Sequence, residues 1–364
     1  MSANSGISLR RAGRTGLHLP VIGMGLGKWG QPGCDDEAAC FRILDRALEL
    51  GVTHWDTASG YGGGNSERIV GRWFASRGKD VRDRIQLSTK WAGPHGAGRG
   101  FLRKAVDGCL RRLQTEYLDI FMLHNPCADE HGRYYAPLEE TWGTLDDLVS
   151  EGKIHYVGLS NAHGINLRDA VHALAAVGKD TSRRLAVVEN CYNAIRRGQV
   201  GRGLWTDWRR GSSEAAFLDE LEVLGVGLIP FWPLAAGALS GRYRKATLRK
   251  TLKQCPVHPR FRLEYLVGRT FEAIEELGVF ADRKGITLAQ LAAAWLLANP
   301  RVTSVICGVS SLQQLEENAA AARISLSAAE LQQVDSIASG AETVDEFIAR
   351  ERRQKMSASA AKSP

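Results

Sequence analysis

The chain has 364 residues, 44% hydrophobic and 24% charged, an ordinary globular composition for one large domain or two small ones. Its net charge of +7 comes from basic residues spread along the sequence with no zinc-finger, RNP or helix-turn-helix pattern beside them, which argues against specific nucleic-acid binding. Seven scattered cysteines with no CxxC pair exclude a disulfide framework, and the longest apolar stretch, Leu288 to Ala298, is too short to cross a bilayer.

Met1–Pro20 has arginines but no apolar core of signal-peptide length, so a cytoplasmic protein without membrane attachment is expected. Ser5–Pro20 reads as a hairpin preceding the first regular unit. Strand candidates then follow at Leu19–Met24, Val52–Asp56, Ile85–Thr89, Leu118–Leu123, His155–Leu159, Leu185–Asn190, Val226–Phe231 and Val302–Cys307. They are short, apolar and mostly not alternating, as strands covered on both faces are. Helical periods separate them. Asp36–Leu50 stops at Gly51, a good residue just past a helix end. Thr287 with Gln290, and Ser327 with Glu330, form capping boxes, the second before a late helix at Ala328–Ser339. Eight strand-then-helix units with an extra C-terminal helix predict a single-domain (β/α)8 barrel over residues 9–352, between tails at 1–8 and 353–364. The stretch from Met356 is expected to fray. Two stretches, Ala194–Ser213 and Gly241–Tyr265, are long and basic; long loops after barrel strands cover the C-terminal, active-site face.

Three strand candidates run into chemistry: the second ends in Asp56, the third runs into Lys90 and the fourth into His124, with Tyr61 in the loop after Asp56. Strand ends at that face are where barrel catalysis sits, so the four side chains should converge. A buried lysine needs a counter-charge, which Asp56 supplies. The cation beside Tyr61 is expected to favour phenolate and lower the phenol from about 10. Tyr61 then protonates a carbonyl oxygen as hydride arrives, and His124 holds that oxygen. Taken singly, each residue has an ordinary reading: a half-buried aromatic, a strand-end lysine, a satisfied polar residue at a sheet edge. The spacing His124–Cys127 has no second pair beside it, and no metal is expected.

These residues stand in DTASGYGGGNSE (Asp56 to Glu67), LSTKW (Leu87 to Trp91) and LDIFMLH (Leu118 to His124), and here the sequence resembles the aldo-keto reductase superfamily. The resemblance runs from about Leu9 to Ala321. It implies a (β/α)8 barrel, an Asp–Tyr–Lys–His tetrad, NADPH or NADH as cofactor and reversible carbonyl reduction.

It also implies a cofactor site. Ser160 and Asn161 of VGLSN would hydrogen-bond the nicotinamide carboxamide, and Glu189 of ENCYN stands where glutamine is usual. An ionised glutamate only accepts hydrogen bonds, and its charge would favour the oxidised, cationic nicotinamide. Phe231 takes the place of a stacking tyrosine, and Ser240 and Arg242 would meet the pyrophosphate. Gly308, Ser310, Gln314, Glu317 and Asn318 would hold the adenosine end. Ser310 often corresponds to an arginine that grips the 2′-phosphate, so NADP(H) is favoured only slightly.

Gly25-Leu26-Gly27-Lys28-Trp29-Gly30 satisfies GxGxxG, but Gln31, Pro32 and Gly33 continue a loop where a dinucleotide fold needs a helix. The glycines, Gly25 among them, are read as a close turn under cofactor or substrate. Trp29, Trp91, Asn125 and Trp232 are expected to wall the pocket, and an aromatic wall suits ring-bearing carbonyls better than small sugars. Arg196, Arg197, Arg209 and Arg210 are either a solvated basic loop or a site for an anionic substrate. Three functions stay open: a reductase of aldehydes or ketones, an oxidation-biased dehydrogenase of a sugar or alcohol using NAD, and a cofactor-sensing regulatory subunit. The partner is a small carbonyl or alcohol, and the sequence gives no oligomeric state.

Overall fold

The strand candidates pair in parallel and in sequence order. In the computed structural model, which describes residues 6–91, 97–125, 134–162, 164–177, 185–195, 214–254, 257, 259–342 and 344–360, eight strands form one sheet: β3 (Ile22–Gly25), β4 (His54–Asp56), β5 (Gln86–Trp91), β6 (Leu118–Leu123), β7 (Ile154–Ser160), β8 (Leu185–Cys191), β9 (Gly227–Phe231) and β10 (Val305–Gly308). β10 pairs with β3. The ring is drawn together on its last side by a parallel bridge from Leu228 to Val302. Between the strands run α1 (Glu37–Leu50), α2 (Asn65–Arg77), α3 (Lys79–Arg82), α4 (Arg99–Leu113), α5 (Leu138–Ser150), α6 (Gly164–Ala176), α7 (Glu214–Leu224), α8 (Leu248–Gln254), α9 (Pro259–Tyr265), α10 (Gly268–Lys284) and α11 (Leu288–Ala298). After β10 come α12 (Leu312–Ala321), α13 (Ala328–Ser339) and α14 (Val344–Ala360). This is a (β/α)8 barrel.

Local chemistry places the helix ends. Gly51 closes α1 in the left-handed region, φ 78°. Both expected capping boxes form, Thr287 with Gln290 and Ser327 with Glu330. The expected hairpin is β1 (Leu9–Arg11) with β2 (His18–Pro20). Ala12, Leu17 and Leu19 pack with the inward-facing Ile120, Met122, Val187, Ile229 and Ile306, so the hairpin plugs one end of the barrel. Arg10 fastens it by donating to the carbonyls of Leu297, Asn299 and Val302 at 2.6–3.1 Å.

Two readings need correction. Gly241–Tyr265, read as one long loop, contains the short helices α8 and α9. The C-terminal tail expected from residue 353 begins as helix: α14 crosses residue 352 and continues to Ala360. Glu342, just before it, accepts from the Arg269 backbone N–H at 3.0 Å and from Arg350, tying the helix to the start of α10. The basic stretch from Arg196 to Arg210, with its five arginines, lies outside the described residues, as do Cys127 and Cys255.

Candidate active site

Side chains alternate along each strand, so one face of β4, β5 and β8 fills the barrel and the other meets the helices. Trp55 and Thr89 turn outwards, Trp55 against Trp73 and Phe74, and Thr89 to Glu67 on α2. Their neighbours Asp56 and Lys90 therefore turn inwards. The Lys90 ammonium donates to both Asp56 oxygens at 2.5 Å and to the Thr57 carbonyl at 3.3 Å, with Lys90 wholly buried. Glu189, on β8 across the barrel interior, brings Oε2 to 3.2 Å from the same Nζ.

Tyr61 starts a single 3-10 turn, Tyr61–Gly64, at the mouth. Its ring meets His124 edge to face, centroids 5.8 Å apart, and Lys90 Nζ lies 5.5 Å from the ring centre. The four residues expected to converge are thus brought together. Two glycines make the placement possible. Gly62 has φ 55°, and a Cβ there would lie 2.6 Å from the Trp29 carbonyl; Gly30 has φ 75° and packs on Asn65. The GxGxxG-like loop is therefore the bed on which the Tyr61 turn rests. Behind it, the buried Glu67 carboxylate accepts from Thr89 at 2.6 Å and from Arg112 at 2.5 Å, fixing α2 and α4 against β5.

The electrostatics correct one expectation. Burial, with Asp56 and Glu189 adding their charge, outweighs the pull of Lys90 and pushes the Tyr61 phenol up to about 12. Tyr61 is therefore a neutral phenol at neutral pH. Burial, with Lys90 adding to it, holds His124 down to about 3, so its imidazole is neutral too. Burial would lower Lys90, but Asp56 and Glu189 overcome it and keep the ammonium charged. Burial and then Asp56 push the Glu189 carboxyl up to about 8. The charge expected of Glu189 beside the nicotinamide is accordingly largely neutralised at neutral pH.

The rim fits a nicotinamide dinucleotide. Asn161, at φ 57°, donates through Nδ2 to the His124 carbonyl at 2.9 Å. That carbonyl can only accept, so the amide orientation is fixed and Oδ1 is left as a buried acceptor with no protein partner. At the far end, Asn318 on α12 has a buried Nδ2 with no protein partner. An orphan acceptor near Ser160 and an orphan donor on α12 are what a carboxamide and an adenine would satisfy. Between them, Phe231 presents its ring at the end of β9, edge to face with Trp232 at 5.7 Å. Ser240 is half-buried, Arg242 and Gly308 are exposed, and Gly25 and Glu317 are half-buried. Ser310 spends both its backbone N–H and its hydroxyl on Gln314 Oε1, each at 2.8 Å.

The pocket wall differs from expectation. Trp29 is fully buried and donates to the Val309 carbonyl at 2.8 Å, so it packs beneath the loop rather than facing a substrate. Trp91 is half-buried against the core outside the strands. Asn125 is half-buried, and Trp232 is 38% exposed. Sequence reasoning missed the contact of Glu189 with Lys90, and the role of Asn193, whose Nδ2 holds the Trp232 carbonyl at 3.1 Å.

The sequence pattern of the Aldo/keto reductase family matches residues 21–339. The chain belongs to this family. It is 34% identical to the L-glyceraldehyde 3-phosphate reductase of Escherichia coli over 347 residues, 90% of this chain and 91% of that protein. It is 29% identical to the uncharacterized oxidoreductase YrpG of Bacillus subtilis, over 90% of this chain and 95% of that one. A probable voltage-gated potassium channel subunit beta of Arabidopsis thaliana is 31% identical over 85% and 89% of the two chains. This aldo-keto reductase is an oxidoreductase that uses NAD(P)(H). Among its described residues no helix is long and apolar enough to cross a membrane, and no group of three or more His, Cys, Asp or Glu side chains could hold a metal ion.

Proposed function

We propose that the reductase converts an aldehyde or ketone to an alcohol, with Tyr61 giving its phenolic proton to the carbonyl oxygen. Bound NAD(P)H would supply hydride to the carbonyl carbon. The observation that carries the reading is the convergence of a neutral Tyr61, a neutral His124 and the buried Lys90–Asp56 pair at one barrel mouth. A neutral imidazole can donate one N–H to the substrate oxygen without competing for the proton that Tyr61 delivers. The phenolate left behind lies beside Lys90, whose charge favours it in a medium of low polarity. Asp56 keeps that ammonium in place and charged.

On the cofactor side, Ser160, Asn161 and Glu189 would receive the carboxamide, Phe231 would stack on the nicotinamide, and Ser240 and Arg242 would meet the pyrophosphate. Gly25 and Gly308 would line the path, and Gln314, Glu317 and Asn318 would hold the adenosine. Both cofactors are used, with NADP(H) modestly favoured. For the substrate, Trp29 and Trp91 are occupied in packing, and of the tryptophans expected at the wall Trp232 is the exposed one. That weakens the argument for ring-bearing carbonyls. A short aldehyde of the kind named for the Escherichia coli relative is the better first candidate. Tyr61→Phe tests the reading: turnover should fall about 10²–10⁴-fold with cofactor affinity retained. Near-normal turnover in that variant would overturn it.

A further inference from the structure

Lys90 carries one positive charge and faces two carboxylates, Asp56 at 2.5 Å and Glu189 at 3.2 Å, all three side chains within 4% of full burial. The second carboxylate comes from β8, on the far side of the barrel from β4. An uncharged glutamine is usual at that position in the family this chain resembles. Here a second carboxylate sits instead on the ammonium that Tyr61 depends on.

We propose that Glu189 is a positioning residue that acts on Tyr61 through Lys90, holding the ammonium toward the carboxylates and keeping Tyr61 in its proton-donating form. When Glu189 is ionised, the set Asp56–Lys90–Glu189 carries a net charge of −1; with glutamine it is neutral. A negative set disfavours phenolate, and phenolate is the form that would take a proton from an alcohol. Once ionised, in the alkaline range, Glu189 thus opposes oxidation, the reverse of what its charge beside a cationic nicotinamide suggests. Because burial and Asp56 push its carboxyl up to about 8, Glu189 carries its full charge in the alkaline range where Tyr61 itself titrates.

The groups that share this space are few. Among the described residues, β4 contributes His54 and Asp56, β5 Lys90, the end of β6 His124, and β8 Glu189 and Cys191. No residue of β3 or β9 titrates. Cys307 of β10 packs with the core outside the strands. On β7, His155 stacks on Tyr117 and Tyr156 lies beside Gly16, toward the plugged end.

The inference rests on the proposed role of Tyr61, but its test does not require turnover. The phenolate of Tyr61 is followed by ultraviolet difference titration of the cofactor-free protein, with Tyr61→Phe as the subtraction. In Glu189→Gln the Tyr61 phenolate should form at a pH lower by about one or more, a shift of roughly tenfold or greater in the ionisation equilibrium. The alkaline onset of alcohol oxidation should move down with it. Glu189→Asp, which withdraws the carboxylate by one methylene, should shift the titration the same way by less. It also serves if the glutamine variant does not fold. An unchanged phenolate titration would overturn the proposal, even if Glu189→Gln weakened cofactor binding. A titration that moves while Tyr61→Phe keeps full turnover would sink the catalytic reading and leave the coupling standing.

Discussion

Lys90 Nζ lies 2.5 Å from both oxygens of Asp56, and both side chains are buried. The pair is a unit whose halves protect each other from burial as lone charges. Lys90→Met leaves Asp56 and Glu189 without their cation, and Asp56→Asn removes the shorter of its two anionic contacts. Removing one partner of a buried pair costs about 3–5 kcal/mol. Urea unfolding of Lys90→Met should show a loss of that order, together with lost turnover. A loss below about 1 kcal/mol would mean that the site is wetter than its burial indicates.

Gly62 should be more sensitive than an exposed turn position. A Cβ there would meet the Trp29 carbonyl at 2.6 Å, and the backbone lies at φ 55°, which a side chain disfavours, so Gly62→Ala must displace the turn that begins with Tyr61. The expected stability cost is about 1–3 kcal/mol. The larger effect should be on kcat, since Tyr61 moves with the turn. Gly63, also at positive φ but with open space at its Cβ, is the control: Gly63→Ala should cost strain without the same loss of rate.

Acid sensitivity should centre on His54. Its ring is wholly buried between Ser88 and Ser304, each at 2.9 Å, and burial with the charge of Lys90 holds it down to about 3 from 6.5. The neutral ring therefore contributes its full stability above about 6.5, and that contribution is lost as pH falls towards 3, at up to about 1.4 kcal/mol for each pH unit. His124 acts in the same direction. Denaturant midpoints between pH 7 and pH 4 should fall less steeply in His54→Gln, even though that variant starts lower at pH 7. Equal slopes would remove His54 from the account.

Cofactor choice should turn on Ser310. Its N–H and hydroxyl are already committed to Gln314, so at most lone pairs are left for an anion at this position. A guanidinium there would offer a charge-assisted, bidentate contact. Ser310→Arg should tighten NADPH by about 10–100-fold relative to NADH. Quenching of fluorescence from the nine tryptophans reads both affinities. A strong NADPH preference already present in the unaltered chain would show that another cation holds the phosphate.

How legible the site was depended on how local its causes are. Asp56, Lys90 and His124 could be read from sequence because each ends a short apolar strand, and alternation from Trp55 or Thr89 fixes which face it takes. The pairing of Glu189 with Lys90 could not, because it spans 99 positions and crosses the barrel interior. The sign of the Tyr61 shift failed for the same reason: the nearby cation is visible in the motif, whereas desolvation and a second carboxylate exist only once the strands close. Trp29 was misread because its burial depends on the Val309 carbonyl, 280 positions away. The helices α8 and α14 escaped notice since a short basic segment and a mostly polar one give little apolar periodicity; they form where the surrounding fold supports them.

The hairpin that plugs the barrel carries a consequence for how the chain is made. Arg10 finds its three acceptors 287, 289 and 292 positions further on, and Leu19 belongs to the same buried cluster as Ile306. During synthesis the hairpin emerges before the strands it plugs, and Arg10 meets its acceptors only after β9 and α11 have followed. The two short strands can pair with each other from the start, but the guanidinium of Arg10 stays without these acceptors until residues 297–302 are made. Seating of the plug and closure of the last strand then fall together in time, so contacts of the longest sequence separation are made at the end of folding.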